Sequence, residues 1–155
     1  MNSSAWHSHV GHLFDPLTLP RKSALWAGRV LSAIPILMMG FSATMKLIHA
    51  PQMASIWVNK FGWLESSMTA IALVELGCAI LFMIPNTAVL GAILMASFFG
   101  GAFATHLRIG DGAGGVVPIL LAVIAWLGLY LRDERVRALV PLRGLWRETT
   151  RMAAP

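Results

Sequence analysis

Along most of this chain polar residues do not alternate with apolar ones; they are confined to the joints between long oily runs. Four runs stand out: LWAGRVLSAIPILMMGFSATMKLI (25–48), SMTAIALVELGCAILFMI (67–84), TAVLGAILMASFFGGAFATHL (87–107) and VVPILLAVIAWLGLYL (116–131). Roughly 20 apolar residues in a helix cross about 30 Å of hydrocarbon, so the pattern predicts four membrane spans. Hydrocarbon offers no partner for backbone N–H and C=O groups, and a helix satisfies both internally. An all-α, integral-membrane, up-down four-helix bundle over 25–131 is therefore expected.

The joints fit these limits. Pro85, Asn86 and Thr87 leave so little chain between the second and third runs that they must form a tight antiparallel hairpin, with Asn86 or Thr87 as helix cap. Ser66 and Ser67 offer caps for the second run, and the glycines of GDGAGG (110–115) predict a flexible turn before the fourth. The 49–66 joint, HAPQMASIWVNKFGWLES, is too oily for a free linker and predicts a short helix lying at, or re-entering, the outer face. Residues 1–24 read as a separate cytoplasmic segment, and 132–155 as an amphipathic, Arg-rich cytoplasmic tail broken near Pro141.

Composition agrees. The chain has 155 residues, 57% hydrophobic and 12% charged, and a mean hydropathy of +0.69. A soluble domain carries about a quarter of its residues charged, so a membrane location, with the lipid bilayer as first partner, is indicated. The net charge of +5 does not point to nucleic acid, because six of the twelve Lys and Arg fall at 132–155. Arg21 and Lys22 precede the first run, whereas the joint between runs two and three carries no Lys or Arg. Both termini are thus expected on the cytoplasmic side of the cell membrane. Trp26, Trp126 and Tyr130 then fall at the inner interface, and Trp57 and Trp63 at the outer. Cys78 is a single cysteine, which excludes an internal disulfide or a CxxC redox pair.

Ionisable residues inside the runs need a reason to be there. Arg29, near the start of the first run, is expected to reach the head groups along its own stem. Lys46 closes the same run on a helical stripe shared with Ser42, Met39, Pro35 and Ser32, where Pro35 predicts a kink. Glu75 is the most informative residue: an ionised acid at a span centre costs about 3 kcal/mol, so it must be protonated or paired across helices. A purely structural carboxyl is the competing account. His106 ends the third run beside Arg108 and Asp111, behind a small-residue ridge of Ala92, Ala96, Gly100 and Ala104 expected to let helices approach closely. The topology brings Lys46, His106, Arg108 and Asp111 to the outer end, with Glu75 reaching from mid-depth. A polar pocket with walls of Met39, Phe98, Phe99 and Phe103 would suit the carbonyl of an apolar ring compound. His7, His9 and His12 lack a second cluster, and no metal site is expected from them.

FSATMKL at the end of run one, LVELGCAILFMIP in run two and GGAFATHLRIGD at the end of run three together resemble the DoxX-like family of small four-helix membrane proteins over about residues 25–140. The resemblance implies a left-handed up-down bundle. It also implies a link to membrane redox chemistry, as in the small subunit of thiosulfate:quinone oxidoreductase, and it points to Lys46, Glu75, His106, Arg108 and Asp111. Fold transfers better than function within such a family.

Three functions are weighed. The first is a redox-linked subunit that binds quinone or a similar apolar molecule and takes electrons from a partner redox or membrane protein, since the chain has no cysteine pair of its own. The alternative is a non-enzymatic scaffold or assembly factor, whose contacts would include partner subunits or further copies of the chain. A proton-coupled transporter ranks third, because four spans without a repeat make a poor alternating-access device.

Overall fold

The computed structural model describes residues 21–139, and this described stretch is helical nearly throughout. The elements are α1 (Arg21–Leu47), α2 (Pro51–Ser55) continuing into one π-helical turn (Ile56–Lys60), α3 (Ser67–Met83), α4 (Ala88–Arg108), α5 (Gly112–Arg132) and α6 (Glu134–Leu139). Among the described residues, three stretches are long and apolar enough to cross a membrane: Lys22–Leu47, Ala88–Arg108 and Gly112–Arg132. Helix α3 is equally oily but has 17 residues, roughly 25 Å of rise. The histidine cluster at 7–12, the Pro141 break and most of the Arg-rich tail lie outside the described residues.

The four longer helices pack as a ring in which α1 and α4 each contact both α3 and α5. Every helix turns one stripe inward. On α1 the stripe is Ala24, Gly28, Ser32, Pro35, Met39, Ala43 and Lys46, spaced by three and four residues as a straight helical face requires. The helix runs through Pro35 without interruption. Met39, Phe82, Met95, Phe99 and Leu129 fill the centre. Val30, Leu37, Phe41, Leu73 and Leu120 stay exposed, an apolar jacket suited to lipid.

Close helix approach comes from other residues than the expected ridge. A Cβ on Gly91 would run into the backbone of Leu81 and Phe82, and one on Gly28 would lie 2.9 Å from the Gly128 carbonyl. Gly100 and Ala104, by contrast, are exposed. Only Ala92, fully buried, does what the ridge predicted. The glycine-rich turn also differs from expectation: Gly112 to Gly115 are the first turn of α5. The Asp111 carboxylate accepts from the Gly114 N–H at 2.9 Å, and such a cap fixes the helix start despite three poor helix formers. Thr87 occupies the N-cap position of α4, but its hydroxyl donates backwards to the Leu81 carbonyl at 2.8 Å, closing α3 instead.

Candidate functional site

The most unusual feature of the bundle is a fixed charge pair in its interior. Lys46, from the last turn of α1, reaches sideways to Glu75 on α3, with Nζ 2.7 Å from Oε2. The two residues are 5% and 3% exposed. The Lys46 ammonium also donates to the Ser42 hydroxyl one turn back at 2.5 Å and lies 5.7 Å from the Trp57 ring centre. The acid that could not stand alone in hydrocarbon has its cation, and the cation has two further polar or π partners.

Beside this pair lies a cavity of about 690 Å³. Lys46, Glu75 and Ser42 form its polar patch; Met38, Met39, Phe98, Phe99 and Leu121 are apolar wall; His106 and Arg108 stand with Thr105 on the α4 side. Lys46, Glu75, His106 and Arg108 thus border one space. Two details differ from the sequence reading: Asp111 does not line the cavity, and Phe103 packs instead against Gly115.

Asp111 acts on the cavity through its neighbours. Its Oδ2 accepts from Lys60 Nζ at 2.8 Å and from His106 Nδ1 at 3.0 Å. The Lys60 hydrogen bond first, then the Gly114 N–H and His106, hold its carboxyl well below the usual carboxylate range. An ionised carboxylate can only accept, so the His106 hydrogen sits on Nδ1 and Nε2 keeps its lone pair when the ring is neutral.

The 49–66 joint closes this end of the bundle as a strap. Trp57 is buried and its indole N–H donates to the Leu64 carbonyl and the Ser67 hydroxyl, each at 3.1 Å. This overturns its expected place in an interfacial belt, since a satisfied N–H lets the ring pack inward over Lys46. Phe61 meets the His106 ring edge-on at 5.2 Å. Arg108 donates to the Phe61 carbonyl and lies 5.5 Å from the Trp63 ring centre. Sequence reasoning left Ser42, Trp57, Lys60 and Phe61 out of the site. The signal was the aromatic-rich IWVNKFGW, which marked the strap but not its target.

Arg29 is exposed, with its guanidinium 5.6 Å from the Trp26 ring centre, and is no part of the site. Cys78 is buried and free. Among the described residues no group of three or more His, Cys, Asp or Glu could hold a metal ion.

Comparison with known proteins places these residues in context. The model of the DoxX-like family matches residues 30–128, well over half of the chain, and that stretch contains Lys46, Glu75, His106, Arg108 and Asp111. No curated protein matches the chain, and neither does any solved structure.

Proposed function

The chain belongs to the DoxX-like family of membrane proteins, and from that premise we propose that it binds a quinone or a similar apolar carbonyl compound as a redox-linked subunit. In this reading α3 completes four spans in the cell membrane, both termini are cytoplasmic, and the cavity faces the outer half of the bilayer. The observation that carries the reading is the Lys46–Glu75 pair lining an otherwise oily cavity large enough for a substituted ring.

Each residue has a distinct part. Lys46 has three N–H donors and uses two on Ser42 and Glu75, so the third serves a ligand carbonyl. Glu75 holds the ammonium at that spot and offsets its charge. His106 offers a second polar contact through Nε2, with its ring set by Asp111. Arg108 fastens the strap through Phe61. Electrons come from a partner protein, because a buried lone Cys78 offers no redox pair.

The test is to purify the protein gently, extract its lipids and look for stoichiometric quinone, then follow tryptophan fluorescence as quinone is added. Trp57 and Trp63 line the cavity, so a bound quinone should quench them. If none co-purifies and none quenches, the quinone reading fails and the scaffold reading takes its place.

A further inference from the structure

Besides Met38 on α1, an exposed residue with a long apolar side chain, the cavity wall contains exposed residues of two kinds. At the outer end these are Trp63 and Arg108, which stack on each other while Arg108 is bound to the strap. Lys60 pins the same strap to Asp111 at 2.8 Å. The way to water is therefore crossed by several interlocking contacts.

The other kind lies partway along the bundle. Ser97, Gly101 and Ala104 line the cavity, are exposed, and recur at spacings of four and three along the middle of α4, one of the helices able to cross a membrane. At 1.5 Å per residue this stripe sits roughly 6–16 Å short of Arg108 along the helix. None of the three carries a side chain large enough to close the gap. A Cβ placed on Gly101 meets nothing within 4 Å. The Ser97 hydroxyl is satisfied by the Ile93 carbonyl at 3.0 Å, so this stretch asks for no water.

We propose that the cavity is loaded sideways from the bilayer through this window, and that its occupant is a lipid-soluble ring compound whose long apolar tail lies across Gly101 and out among the acyl chains. The proposal rests on the cavity being a ligand site, and it adds the route and the tail. A tail seated on small residues leaves the ring free to reach Lys46 while its apolar length remains in hydrocarbon. Gly101 is then a specificity-determining residue, selecting for tailed over tail-less ligands.

The test uses the full chain in lipid nanodiscs and two benzoquinones with one head group, tail-less and isoprenoid-tailed, with concentrations corrected for partitioning into lipid. Binding is read from tryptophan quenching. The tailed compound should bind about tenfold more tightly, the worth of roughly two buried methylenes. Gly101→Leu should remove that advantage, bringing the tailed compound down to the affinity of the tail-less one. Gly100→Leu is the control: the neighbouring position is exposed, does not line the cavity and has nothing within 4 Å of a built Cβ, so tailed binding should persist. Head-group binding that ignores tail length and survives Gly101→Leu would overturn the window while sparing the ligand site. Equal loss in both glycine variants would also overturn it. No quenching by either quinone would overturn the site and the window together.

Discussion

At the end of the bundle where α1 begins and α5 stops, small residues draw backbones together. Gly28 faces the Gly128 carbonyl and Gly91 sits on the backbone of Phe82, while Arg132 donates to the Phe82 carbonyl at 2.7 Å and closes that end. Towards the other end, two small residues of α4 do the reverse. Gly101 and Ala104 face no partner helix, and the room left by the missing side chains is part of a cavity of about 690 Å³. A glycine in an oily helix therefore specifies neither contact nor space by itself. What lies opposite decides, and where a buried charge pair stands opposite, space remains.

The largest expected effect comes from breaking that pair. Lys46→Ala or Glu75→Ala leaves an unpartnered buried charge, which costs about 3–5 kcal/mol. Thermal melts in detergent should show it, and the double variant Lys46→Met with Glu75→Leu should recover most of the loss. A single-variant cost under about 1 kcal/mol, as for a solvated pair, would show that the open half is wet rather than oily.

Gly91→Leu comes next and probes the closed half. A side chain there must displace α3 backbone, so about 1–3 kcal/mol or more is expected. A neutral result would erase the contrast between the two ends.

Asp111→Asn should have a smaller effect, confined to the strap. It removes the negative charge and one of the two oxygens that accept from Lys60, His106 and the Gly114 N–H, and should raise proteolysis within 51–63 before it lowers the melting temperature of the bundle. The pH dependence has a definite sign. The folded-state pKa of Asp111 lies below its unfolded value, so its contribution is complete above about pH 4 and fades as the pH falls through the folded value. Strap protection that is constant down through the acid range would count against Asp111 as the pin.

The smallest effect is expected for Gly100→Ala. No neighbour lies within 4 Å, and alanine favours helix by roughly 1 kcal/mol at most, so stability should hold or rise slightly. A clear loss would mean that the expected ridge packs against something after all.

Much of the fold was legible because hydrocarbon length and backbone satisfaction are local constraints. The four runs gave the four long helices within a few residues, and the oily 49–66 joint gave the short helix of the strap. Errors fell where a local rule had two outcomes. Glycines at 112–115 read as a turn until the Asp111 cap showed them as a helix start. Trp57 read as an interfacial ring until its N–H partners turned it inward. Of the candidate site, Glu75 announced itself by the cost of an isolated charge, and that cost required a partner without saying which.

By itself the sequence determined that this is a helical membrane protein and that Glu75 must be compensated, because both follow from the energy of polar groups in hydrocarbon. The tertiary structure decided that Lys46 is the compensating cation, that Ser42 and Trp57 complete its surroundings, and that His106 and Arg108 share a cavity with them. Helix rotation and the path of the strap set those meetings. They depend on which stripes interlock around the ring, a property of all four helices at once that no single stretch of chain contains.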